Sequence, residues 1–115
     1  MHELGIATAV LDAVREETTR HPGMRAREVC LRIGSLAGVD PESLRFGFEA
    51  LVQGSDLDPL ALRIEERPRR HTCMQCGVEF EVVNYDSLCP SCGSWQTVCT
   101  SGEELDIAYL EMEDA

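Results

Sequence analysis

Two hydrophobic periods alternate along this chain, and the places where one gives way to the other outline its elements. Leu4, Ala7, Leu11 and Val14 fall on one stripe, with Ile6, Val10 and Ala13 beside it, and Asp12, Arg15, Glu16 and Glu17 lie largely outside. That spacing predicts an amphipathic helix over residues 4–20, ended by His21-Pro22-Gly23. The period then drops to two. Val29, Leu31 and Ile33 alternate with Glu28, Cys30 and Arg32, which predicts a half-buried strand over 27–33. Asp40-Pro41-Glu42 opens a second helix, with an N-cap, a proline at its first position and an acid in its first turn. Leu44, Phe48, Leu51 and Val52 supply its buried side, and Gly54 stops it after about Gln53. Residues 60–66 alternate again, with Leu60, Leu62 and Ile64 inward and Arg63 and Glu65 outward.

Arg67-Pro68-Arg69-Arg70 breaks the pattern, and beyond it two short strands are expected, one through Val78, Phe80 and Val82 and one from Trp95 to Cys99. Leu105, Ile107 and Tyr109 mark a last strand. It has too little apolar surface to stand alone and is expected to rejoin the first two. The reading is an α+β protein: a small three-stranded sheet with two helices in residues 1–66 and 103–115, and an inserted zinc-ribbon or rubredoxin-like module in residues 67–102.

Charge narrows the partners. The net charge is −11, and it divides into −5 over residues 1–66, zero over 67–102 and −6 over 103–115. Binding to nucleic acid rests on neutralising phosphates, so this balance argues against it. No apolar run approaches the ~18 residues that a membrane span needs. Met1-His2-Glu3 is acidic where a signal peptide is basic, so a cytoplasmic protein with reduced thiols is expected.

In such a compartment the six cysteines point to metal. Cys73-Met74-Gln75-Cys76 and Cys89-Pro90-Ser91-Cys92 are separated by twelve residues. Each pair can form a knuckle that points two sulfurs the same way, and two knuckles make a tetrahedral four-sulfur cage suited to Zn²⁺. Gly77 and Gly93 follow the second cysteine of each pair, where a knuckle often needs positive φ. An iron centre on the same ligands and a pair of redox disulfides are the other readings. With all four thiols engaged no coordination position stays open, so nothing marks the metal as catalytic. His71 reads as a solvated residue of a basic linker, Arg67, Arg69 and Arg70 as a solvated hinge, and His21 as part of a turn. Cys30 reads as a strand thiol and Cys99 as a small packed thiol.

A second cluster lies at the amino terminus. With its initiator methionine kept, Met1-His2-Glu3 offers an α-amine, a backbone nitrogen, an imidazole and a carboxylate within three residues. A nitrogen-rich planar set of this kind suits Ni²⁺ or Cu²⁺ better than tetrahedral Zn²⁺. The plain alternative is a Met-His start with no chemical role.

Met-His-Glu-Leu at the start, Val29-Cys30-Leu31-Arg32-Ile33-Gly34, the Asp40-Pro41-Glu42-Ser43-Leu44-Arg45-Phe46 helix start and the late double CxxC occur here in one order. In that combination the chain resembles the HypA/HybF family of nickel metallochaperones over essentially its whole length. The resemblance implies a protein that is not an enzyme. It implies Ni(II) held by His2 with Met1 and Glu3, and Zn(II) held by Cys73, Cys76, Cys89 and Cys92. It also implies a nucleotide-hydrolysing partner of the HypB type and delivery to the precursor of the [NiFe]-hydrogenase large subunit, with urease a further client of some members. Asp40 matches an acidic residue that the family places near the nickel end, although its position here also fits an N-cap. Release of nickel is expected as pH falls through about 6–7, where imidazoles take up a proton. The contrasting readings are a zinc ribbon that contacts nucleic acid and a small electron carrier with iron at the four cysteines.

Overall fold

The computed structural model describes residues 2–115. Its elements run α1 (His2–Thr19), β1 (Met24–Gly34), α2 (Pro41–Val52), β2 (Ala61–Arg67), β3 (Arg70–Cys73), β4 (Glu79–Glu81), β5 (Thr97–Ser101) and β6 (Leu105–Asp114). They form two compact units. One holds the chain up to Arg32, Val39–Glu65 and Asp106–Ala115, and the other holds Ile33–Gly38 and Glu66–Leu105.

The first unit packs two helices with a sheet of order β2-β1-β6. The last strand therefore does rejoin the first two. Arg25 pairs with Glu113, Arg27 with Glu111, and Arg32 with Asp106, so partner numbers fall on β6 as they rise on β1. That is an antiparallel pairing. The buried face of α1 is Ala7, Val10, Leu11 and Val14, at the spacing of one helical stripe. The stripe is shorter than expected, because Leu4 in the first turn is 41% exposed. Helix α2 contributes Leu44, Phe48 and Val52, spaced by four, whereas Leu51 faces outward. Buried aliphatic and aromatic side chains of this kind each contribute about 1.5–3 kcal/mol.

Strand β1 departs from its expected half-burial. Val29, Cys30 and Leu31 are all buried, Cys30 because Tyr109 from β6 and Arg63 and Glu65 from β2 gather round it on its own face. On the face of Glu28, Cys30 and Arg32, the Tyr109 hydroxyl donates to Glu28 at 2.8 Å. Arg32 lies between Glu65 at 3.6 Å and Asp106 at 3.7 Å. Leu105 and Ile107 are exposed along the edge strand β6.

The second unit has a sheet of order β4-β3-β5, with β3 antiparallel to both neighbours. Its small core is Cys73, Phe80 and Cys89, with Val82 packed against it. Arg70, expected in a solvated hinge, opens the central strand, and His71, expected in solvent, is buried on it. Trp95 lies outside β5 and is exposed, as is Val78 beside β4. The close backbone approach in this unit is made by two glycines. A Cβ placed on Gly34 would stand 2.0 Å from the Gly102 carbonyl oxygen, and Gly102 itself has φ +116°.

Candidate metal centre

Two turns and a hairpin bring the four cysteines together. At the first turn the Gly77 amide donates to the Cys73 carbonyl at 2.9 Å, and Gly77 has φ +78°. The second repeats it: the Gly93 amide donates to the Cys89 carbonyl at 2.8 Å, with Gly93 at φ +77°. A side chain at either glycine would meet this left-handed conformation at a cost. The Cys73 amide bonds the Val78 carbonyl at 2.9 Å and the Cys89 amide bonds the Ser94 carbonyl at 2.9 Å, which closes each knuckle.

The sulfurs of Cys73, Cys76, Cys89 and Cys92 all lie within 4.8 Å of one another. Cys73 Sγ is 3.6 Å from Cys92 Sγ, and Cys76 Sγ is 3.6 Å from Cys89 Sγ. A tetrahedral ion with metal–sulfur bonds of about 2.3 Å sets its sulfurs about 3.8 Å apart, so the set fits such an ion. The separations also exceed by far the ~2.05 Å of a disulfide.

Charge explains why a cation belongs there. Cys73 is pulled down to about 6, chiefly by the Cys76 amide, with the Gln75 amide adding to it. The Ser94 amide also pulls Cys92 down, but Cys73 and burial outweigh it and Cys92 is pushed up to about 12. Four negative sulfurs this close repel one another, and a divalent ion between them removes the conflict.

His71 is not a ligand in this arrangement, because both ring nitrogens are occupied. Arg69 Nε donates to His71 Nε2 at 3.1 Å, which makes the ring a neutral acceptor on that side. Its Nδ1–H then faces Thr97 Oγ1 at 3.0 Å, and the Thr97 hydroxyl donates to the Ser87 carbonyl at 2.9 Å. Burial and Arg69 hold the imidazole below its usual pKa. The relay ties β3 and β5 to the loop that enters the second knuckle. Sequence reasoning missed it, and the one available signal was that His71 and Cys73 share a strand face. Cys99 is exposed rather than packed, and Cys30 is buried in the first unit.

Of the amino-terminal cluster, Met1 lies outside the described residues. His2 is exposed at the first position of α1, and Glu3 is half-buried beside it. The Asp40 amide donates to Glu3 Oε2 at 3.4 Å, which brings the start of α2 to the first turn of α1. Asp40 also caps α2: Oδ1 accepts from the Glu42 amide at 3.2 Å and Oδ2 from the Ser43 hydroxyl at 2.8 Å. Gly47 follows the same junction, since a Cβ there would lie 3.4 Å from Leu4 Cδ1. His21 pairs with Glu17 at the far end of α1.

Fold and site together define a small metal-binding protein, with a helix–sheet unit and a unit built round a four-cysteine cluster. The family model for hydrogenase/urease nickel incorporation, metallochaperone, hypA, matches residues 1–112. The chain belongs to this HypA family, whose members are metallochaperone maturation factors and not enzymes. Among curated relatives, the hydrogenase maturation factor HypA of Acidithiobacillus ferrooxidans is 39% identical over 113 residues, covering 98% of this chain and 100% of the relative. That of Chlorobium luteolum is 40% identical, covering 99% and 97%. Two solved structures share the fold. The solution structure of a HypA protein superposes with a TM-score of 0.71 at 22% identity, covering 98% of this chain and 97% of the other. The nickel metallochaperone HypA from Helicobacter pylori gives 0.64 at 21% identity and covers 98% of each.

Proposed function

We propose that this chain carries Ni(II) on its amino terminus and hands it to the precursor of a [NiFe]-hydrogenase large subunit, with urease a second client. The observation that carries the reading is the exposed His2 opening α1, in a chain that matches the nickel-incorporation family from its first residue. Met1 gives its α-amine, His2 its backbone nitrogen and imidazole, and Glu3 a carboxylate. Such a nitrogen-rich set suits the planar preference of Ni²⁺. Its exposure suits transfer, since a receiving protein reaches the ion without unfolding the carrier. Asp40 acts beside this site as a brace through its amide.

Zn(II) is the resident ion of Cys73, Cys76, Cys89 and Cys92. It supplies no reaction and joins two knuckles whose core is too small to hold alone. A nucleotide-hydrolysing HypB-type protein is the partner, and the exchange takes place in the cytoplasm. Among the described residues no helix is long and apolar enough to cross a membrane.

The test blocks the amine. Untagged protein should bind one nickel per chain in isothermal titration, and protein with an acetylated or extended amino terminus should bind it at least about tenfold more weakly. Equal binding by both would remove the amine from the site. Metal analysis should find one tightly held zinc per chain in either form.

A further inference from the structure

Phe46 is 77% exposed on α2, a helix that buries Phe48 two residues later. A solitary exposed apolar residue needs no explanation. This one is set apart by its surroundings. Glu42 and Glu49 stand four residues before it and three after it, one turn away on the same helix face. Both are exposed, and neither carboxylate enters an ion pair or hydrogen bond among the described residues. Arg45, the one cation of α2, is directed elsewhere: its guanidinium donates to the Leu62 carbonyl at 2.8 Å. Next to Phe46 in sequence is Gly47, against which the first turn of α1 rests through the exposed Leu4. An aromatic ring flanked by free carboxylates therefore stands on the helix that braces the amino terminus.

We propose that Phe46 is the anchor of a docking surface for a partner protein whose face offers an apolar socket rimmed by lysine or arginine. The proposal rests on the nickel-carrier reading only for its purpose, which is to hold the nucleotide-hydrolysing HypB-type partner beside His2. Aromatic residues that fill a pocket dominate binding energies, and unpaired rim charges select the partner and speed encounter. Charge decides between occupants. A second copy of this chain brings the same carboxylates, and its net charge of −11 opposes self-association on this face. A partner with a basic rim satisfies both carboxylates.

The experiment titrates the full-length chain against the purified HypB-type protein encoded in the same genome, at low and at high salt. Phe46→Ala should weaken binding by about tenfold or more. Glu42→Gln with Glu49→Gln should weaken it several-fold at low salt and little at high salt. Circular dichroism and nickel uptake by the isolated Phe46→Ala chain should match the wild type, which separates docking from folding and from metal binding. Wild-type affinity in Phe46→Ala overturns the proposal. So does sedimentation showing a wild-type dimer that Phe46→Ala dissociates, because the face then belongs to a second copy. A wild-type chain that takes up no nickel yet loses its partner on Phe46→Ala supports the docking surface and removes the carrier reading alone.

Discussion

The amide of Asp40 and the carboxylate of Glu3 meet at 3.4 Å, so a residue at the start of α2 steadies the turn that presents His2. The Asp40 side chain is engaged in the other direction, as the cap of its own helix. Asp40→Asn keeps both a capping oxygen and the amide. Its nickel Kd should lie within about twofold of wild type, and its stability should change by only a few tenths of a kcal/mol, whereas Asp40→Ala should lose about 1 kcal/mol. Calorimetry and urea unfolding check both. A large rise in nickel Kd for Asp40→Asn would make that carboxylate a ligand.

Gly34 and Gly102 should tolerate nothing larger. A methyl group on Gly34 would stand 2.0 Å from a backbone oxygen, which no side-chain rotation relieves. Gly34→Ala should therefore cost about 2 kcal/mol or more in urea unfolding. Gly5 offers the contrast: it is helical, and a Cβ there meets nothing within 4 Å. Gly5→Ala should stabilise by about 0.5–1 kcal/mol.

The His71 relay and the cysteine cluster can be separated by spectroscopy. His71→Gln should lower the stability of the second unit by about 1–3 kcal/mol, through the buried partners it leaves unpaired. Cobalt substituted into that variant should keep the absorption of a four-thiolate site. A spectrum with a nitrogen ligand in the wild type, lost in His71→Gln, would contradict the geometry. Stripping the metal with a chelator should melt the second unit, seen in amide exchange, while the helical signal of the first unit remains.

Cys30 and Cys99 should differ in reactivity. Cys30 is wholly buried, and burial, helped by Glu65, raises its thiol above the ordinary 9.0. In metal-loaded protein, Cys99 should be alkylated quickly and Cys30 only on unfolding. The sign of the pH effect follows. A folded pKa above the unfolded one means that the folded chain keeps a proton which the unfolded chain gives up. The stabilisation is complete below about pH 9 and is lost as pH rises beyond it. Cys30→Ala should flatten that alkaline fall, and an unchanged profile would contradict the assignment.

Where one physical rule governed an element, its sequence was enough. The α1 stripe through Ala7, Leu11 and Val14, the Asp40 cap, and the two glycine-closed knuckles are local features, and each was legible. Failures came where a neighbour in space decided the outcome. Cys30 looked half-exposed because alternation does not show which side chains of neighbouring strands, here Tyr109, Arg63 and Glu65, close over that face. Arg67, Arg69 and Arg70 looked like a solvated hinge because a proline among three arginines carries no aliphatic signal, yet Arg70 opens the strand Arg70–Cys73, and β4 and β5 pair on both of its sides. His71 was misplaced for the same reason. The local pattern at Asp40 read only as a cap, and its place near the amino-terminal end came from the family resemblance alone, because its reach to Glu3 spans 37 positions and left no local trace.

The decisive experiment is nickel titration of untagged His2→Ala beside untagged wild type. Wild type should take up one nickel per chain, and the variant should bind at least about tenfold more weakly with its zinc content unchanged. Equal uptake by the two proteins would mean that nickel does not sit on His2.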